Sequence, residues 1–293
     1  MTLFGLMKGY VEIRDGGAPK LMKDQSVQGG TWPGDVVAVT NPSGAGRVVL
    51  VCEHAANAIP AELDGLGLSE EARQSHIAWD LGALAVAEAM SVHLDAPLIA
   101  HCVSRLVYDC NRVPDASDAV PDFSEYQEIP GNTGLSAADR LARTVRYYTP
   151  FCDALSACIE RRAEAGPGVG AGTLPVLVTV HSFTPVYKGE RREVEIGVLH
   201  DSDARLADEM LTHAQAEGEL TVQRNAPYGP DDGVTFTLAR HAIPRGLLNV
   251  MIEIRNDLIA DPASQQAMAR RLSGYVNVAL TALERKAGLA QVS

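Results

Sequence analysis

The chain has 293 residues, a formal net charge of −12 and 46% apolar residues. That length suits one large α/β domain, and the apolar share is that of a protein with a true core. The acidic balance argues against a nucleic-acid surface, which needs a concentrated basic patch. No apolar run reaches the roughly 18 residues of a membrane span.

Residues 1 to 35 are weakly patterned and read as an N-terminal extension ahead of a domain over 36–293. Val36 to Thr40 predicts a short strand and Arg47 to Cys52 a buried one. Ser69 is a good N-cap for a helix beginning Glu70-Glu71-Ala72. Leu81 to Leu94 reads as a buried helix and Ala96 to His101 as a strand, with Val103 to Asp109 as a candidate for another. Residues 113 to 134, with their prolines, glycines and acids, read as a loop. Ser136 to Arg162 looks helical with a break near Pro150, and Ala165 to Gly172 is a Gly-rich link.

Strands are expected at Leu174 to Val180, Glu193 to His200, Leu220 to Arg224 and Leu247 to Arg255. Helices are expected from Asp201 to a stop at Gly218, and from Ser264 to Lys286. Strands alternating with helices imply a single three-layer α/β domain, a mixed and mostly parallel sheet with helices on both faces.

The N-terminus shows no signal-peptide pattern, since Lys8, Glu12, Arg14 and Asp15 interrupt any apolar core. Cys52, Cys102, Cys110, Cys152 and Cys158 form no CxxC pair and read as reduced thiols. Both features point to a cytoplasmic protein.

Polar residues stand where three apolar strands run out, which is where open α/β sheets bind ligands. The first stretch ends Cys52-Glu53-His54, the second Val180-His181, and the third Ile252-Glu253-Ile254-Arg255. Two strand-end histidines suggest a shared metal site. A catalytic zinc takes three protein ligands, so a carboxylate is wanted, with Asp80, Glu53 and Asp109 as candidates. Asp80 is preferred over Glu53, which precedes His54 directly and on a regular strand points to the opposite face. Glu253, flanked by aliphatic residues, suits a general base whose proton affinity burial raises.

Arg105, Asn111 and Arg112 offer donors for a carboxylate, and Tyr228 lies on a turn-rich loop able to cover a substrate. Lys188, Arg191 and Arg192 are suited either to a second carboxylate or to a solvated loop, and are read as the loop. GxGxxG, the P-loop, GxSxG and HExxH are all absent.

At these residues the chain resembles the N-formylglutamate amidohydrolase family. The likeness is carried by Cys52 to Pro60, His76-Ile77-Ala78-Trp79-Asp80-Leu81-Gly82-Ala83, Ser104-Arg105 through Asn111-Arg112, and Ile129-Pro130-Gly131-Asn132. It continues in His181 to Pro185, Ile196 to Leu199, Asn225-Ala226-Pro227-Tyr228 and Ile252 to Leu258. The resemblance implies a fold like that of the zinc carboxypeptidases. In those enzymes a His-x-x-Glu pair holds the metal, whereas here Asn57 stands three residues after His54.

By resemblance, His54 and His181 hold one Zn2+ per chain, Glu253 is the catalytic glutamate, and Asn111-Arg112 grip a substrate carboxylate. Arg105 assists them or stabilises the oxyanion, and Arg255 joins Tyr228 among the substrate contacts. The implied substrate is a small-molecule N-acyl amino acid such as N-formyl-L-glutamate, cut to formate and the free amino acid. Other readings are a carboxypeptidase-like amidase acting on a peptide or cell-wall fragment, and a non-catalytic binding protein on the same scaffold.

Overall fold

The computed structural model describes residues 36–164 and 174–290. The expected extension at 1–35 and the Gly-rich link at 165–172 lie outside the described residues. Seven strands form the main sheet: β1 (Val37–Thr40), β2 (Val48–Cys52), β3 (Leu98–His101), β4 (Val176–Phe183), β5 (Ile196–Leu199), β6 (Val222–Arg224) and β7 (Leu248–Arg255). Their order across the sheet is β1-β3-β2-β4-β7-β5-β6. The pairs β3–β2, β2–β4 and β4–β7 are parallel. At the edges β1 runs against β3, and β5 with its parallel neighbour β6 runs against β7. The fold is therefore a single α/β domain on a mixed, mostly parallel sheet.

The central strands are apolar on both faces because both faces are covered. On one side Val48, Leu50, Val178, Val250 and Ile252 pack with residues of α1 (Ala83–His93), α3 (Arg205–Glu217) and α4 (Pro262–Ala290), among them Val86, Met210 and Leu272. On the other, Val49, Val51, Leu177 and Met251 meet Phe151 and Leu155 of α2 (Thr149–Glu164), with Tyr147 and Leu238. Each such fully buried side chain contributes about 1.5–3 kcal/mol of transfer free energy. No helix among the described residues is long and apolar enough to cross a membrane. All five cysteines are free, with Cys152 half-buried and the others buried.

Several elements differ from the sequence reading. Val103 to Asp109 is not a strand. The Ser104 carbonyl accepts from the amides of Val107 at 2.9 Å and Tyr108 at 3.3 Å, and its hydroxyl accepts from Leu106 N, so the backbone closes on itself as a turn. The break in the 136–162 helix is a wide turn at Thr144–Tyr148. It lies just before Pro150, whose ring and missing N–H disfavour regular α-helical bonding to the preceding turn, so the helix widens there and runs on into α2. The helix expected from Asp201 begins at Arg205 and ends on left-handed Gly218. Ser69 caps Glu70–Gln74 by accepting from Ala72 N.

Candidate active site

The parallel strands β2, β4 and β7 bring their carboxyl ends to one level. Register pairs Val51 with Thr179, and Glu253 with His181. Alternation then puts Glu53, His181 and Glu253 side by side on the face that carries α2. Beyond β2 the chain turns, so His54 swings over the same spot although Glu53 precedes it.

The loop carrying Asp80 is tied down on both sides. Asp80 N donates to His54 O at 3.0 Å, Arg105 N to Ala78 O at 3.2 Å, and Ser182 Oγ to Leu81 O at 2.8 Å. Gly82 follows with φ 79, and a Cβ there would lie 2.7 Å from Ile259 O, so only glycine lets α1 start this close to the 256–259 turn.

His54 Nδ1, His181 Nδ1 and Asp80 Oδ2 form a small triangle. Its edges are 3.2 Å between the nitrogens, 2.9 Å from His181 to Asp80 and 3.3 Å from His54 to Asp80. Each imidazole is backed by another carboxylate: His181 Nε2 lies 3.0 Å from Glu53 Oε2, and His54 Nε2 lies 2.8 Å from Asp109 Oδ1. The His54–Asp109 contact is a hydrogen bond, whereas the His181–Glu53 contact is an ion pair short of hydrogen-bond geometry. With a proton on each outer nitrogen, both inner nitrogens turn lone pairs toward Asp80. Three electron-rich atoms facing one point repel unless a cation or protons lie between them.

Zinc bonds of ~2.05 Å at a tetrahedral angle put ligand atoms ~3.3 Å apart. The observed edges fit such an ion, and two histidines with one carboxylate leave a coordination position free. Among the described residues, these three are the one group of this kind able to hold a metal.

Electrostatics follow from the same packing. Burial and the Arg105 charge oppose protonation of His54, yet Asp109 and Asp80 outweigh them and raise its pKa. Burial likewise opposes protonation of His181, but Glu53 and Asp80 lift it well above the usual value. Asp80 and Asp109 remain ionised despite burial because His54 stands against both. Arg105 donates to Asp80 at 3.4 Å and to Asp109 at 2.9 Å. Glu253 behaves differently. Its carboxyl makes no hydrogen bond with another described residue, and burial pushes its pKa up to about 7.

The other expected contacts are distributed less simply. Tyr228 comes to Glu253 because Gly197, the register partner of Glu253, has no side chain: a Cβ there would lie 2.0 Å from Ala226 O. Tyr228 feels the charges of both Glu253 and Arg105. Asn111, by contrast, commits its amide to Val234 O and accepts from Thr237 N at 2.9 Å, so it fastens the 234–237 loop.

Arg112 donates to Asp118 and to Gly233 O. Arg255 donates to Asp257 at 2.8 Å and to Arg192 O at 3.2 Å. Asn57, in the place of the carboxypeptidase acid, donates to Arg73 O and Gln74 Oε1. Sequence reasoning did not anticipate the Asp109–His54 pair, nor the burial of Glu53 against His181. The register of β2 with β4 was the signal for the second.

A sequence model of the N-formylglutamate amidohydrolases matches residues 46–260, most of the chain. The chain belongs to that family. It is thereby a hydrolase of the N-formylglutamate amidohydrolase type. A crystal structure of a gene product from Agrobacterium tumefaciens is 53% identical, with a TM-score of 0.82 over 86% of this chain and 97% of that one. The crystal structure of N-formylglutamate amidohydrolase from Ralstonia eutropha shares the fold at 18% identity, with a TM-score of 0.57 over 82% of this chain and 98% of the other. A ribosomal RNA small subunit methyltransferase A from Chlorobaculum tepidum is 28% identical over 116 residues, 36% of this chain. The chain spans only 41% of that curated relative, and the match carries no functional argument.

Proposed function

We propose that the protein is a zinc-dependent hydrolase of small N-acyl amino acids, with N-formyl-L-glutamate as the leading substrate. The observation that carries this reading is the His54–Asp80–His181 triangle with a carboxylate behind each imidazole. His54, Asp80 and His181 are the residues that would hold the ion. Bound there, zinc supplies Lewis-acid polarisation of the acyl carbonyl and easier ionisation of water at neutral pH.

The remaining work falls to the chain. Glu253, with a proton affinity matched to neutral pH, takes the proton of the attacking water as its oxygen adds to the acyl carbon. It returns that proton to the amide nitrogen as the C–N bond breaks, giving formate and the free amino acid. Arg105, fixed by Asp80 and Asp109, keeps donors toward the site for the developing oxyanion or the substrate α-carboxylate. Fixing a carboxylate positions the scissile amide, which replaces a bimolecular encounter by a bound geometry.

His54, Asp80, Asp109, His181 and Glu253 are each at most 6% exposed. A centre this enclosed supports a small substrate over a peptide or cell-wall polymer. Formate and acetate release from a panel of N-formyl and N-acetyl amino acids tests the reading. Turnover confined to peptides, or no turnover by zinc-replete protein, would overturn it.

A further inference from the structure

Arg192 does not behave as a solvated loop residue. Its guanidinium lies 4.6 Å from the ring centre of Tyr187, 4.8 Å from that of Tyr228 and 5.5 Å from that of Phe183. Its backbone is fastened too: its amide donates to Pro185 O at 2.9 Å, and its carbonyl accepts from Arg255, which is held in turn by Asp257. Each fastening leads back to the candidate site. Phe183 ends the strand of His181, Arg255 stands two residues beyond Glu253, and Tyr228 lies in the field of Glu253.

The other arginines around the site are matched by acids: Arg105 by Asp80 and Asp109, Arg112 by Asp118, Arg255 by Asp257 and Glu195. Among the described residues, Arg192 has no carboxylate within ion-pair distance. Its Nη1 donates to Thr184 O at 3.5 Å and its side chain also meets the Tyr228 hydroxyl, which together use only part of the five N–H donors, and aromatic faces hold the guanidinium in place without consuming the rest. A caged, charge-unmatched guanidinium is suited to an anion.

Two carboxylates are available in a dicarboxylic N-acyl amino acid, and bond count separates them. The α-carboxyl carbon is two bonds from the scissile nitrogen, and the side-chain carboxyl carbon of glutamate is four. Arg105 touches Asp80 of the candidate metal triangle, while Arg192 touches none of its three residues and stacks on Tyr228, which feels the charges of both arginines. We infer that Arg192 binds the side-chain carboxylate of an acidic N-acyl amino acid and so sets the preference for dicarboxylic substrates. This rests on the amidohydrolase reading given above and names the substrate class within it.

The test uses full-length, zinc-replete protein with N-formyl-L-glutamate and N-formyl-L-glutamine, which differ only in charging the side-chain terminus. Wild type should prefer the glutamate compound. Arg192→Met should raise its KM about tenfold or more, with kcat changed much less, as expected for loss of a charge-assisted bidentate contact. The KM for the glutamine compound should move less, so the preference collapses.

Arg192→Lys keeps the charge without the fork and should recover part of the preference. Calorimetric binding of the products L-glutamate and L-glutamine should show the same loss without turnover. An active wild type whose preference survives Arg192→Met overturns the assignment of Arg192. A wild type that hydrolyses neither compound, nor any other N-acyl amino acid, overturns the underlying reading instead.

Discussion

His181 and His101 lie on the same face of one sheet, both almost wholly buried, yet their surroundings have opposite effects. His181 stands between Glu53 and Asp80 and is held strongly basic. His101, at the end of β3, meets the edge of Phe151, has no carboxylate within ion-pair distance among the described residues, and burial pushes its pKa down to about 4. Burial alone therefore makes a histidine inert. A carboxylate against the outer nitrogen and an electron-rich neighbour at the inner one make it a candidate ligand.

The largest effects should come from the polar side of that contrast. Glu253→Gln removes the carboxyl of the cluster that has no ion-pair partner among the described residues and should lower kcat by about 10²–10⁴ while zinc content stays near one per chain. Retained turnover would remove Glu253 from the reaction. His54→Ala, His181→Ala and Asp80→Ala should each lose stoichiometric zinc by elemental analysis, and a variant that keeps it is not a ligand. Glu53→Gln and Asp109→Asn keep the triangle but remove the carboxylate behind one imidazole. Zinc affinity, measured by chelator competition, should fall about 10–100-fold in each; unchanged affinity would reduce these acids to packing.

The pH dependence sharpens the same point. Glu253 must be ionised to accept a proton, so kcat/KM should fall as pH drops through its pKa. A cation nearby favours the carboxylate, which places that limb at or below about 7. A profile flat from about pH 5 to 8 would contradict the general-base role.

The smallest effect belongs to the other side. His101→Leu replaces a buried polar ring by an apolar side chain. Zinc affinity should be unchanged, and thermal unfolding should shift by no more than a few degrees, since losing a buried polar group offsets imperfect packing. Loss of zinc in this variant would break the distinction.

Much of this was legible in the sequence. Apolar runs such as Val48–Cys52 and Val176–Val180 give buried strands because nothing else satisfies so many aliphatic residues. The residues that end them fall at the ligand-binding edge by topology alone. Asp80 was legible as well, since it combines a conspicuous motif with a helix entrance.

The rest depended on tertiary hydrogen bonds that no local pattern encodes. Val103 to Asp109 carries strand-like residues, but the Ser104 carbonyl and hydroxyl capture its amides. Asn111 and Arg255 carry donors suited to a substrate, but Val234, Thr237, Asp257 and Arg192 take them up. Arg192 looked like one cation among several in a polar loop, and its aromatic surroundings combine Phe183 and Tyr187 from its own stretch with the distant Tyr228.

Formate release from N-formyl-L-glutamate, followed before chelation, after chelation and after zinc is restored, tests the central claim most directly. Activity should vanish with the metal and return with it in wild type, and should fail to return in His54→Ala and His181→Ala. Hydrolysis that continues undiminished in metal-free protein, or in either histidine variant, would contradict the account.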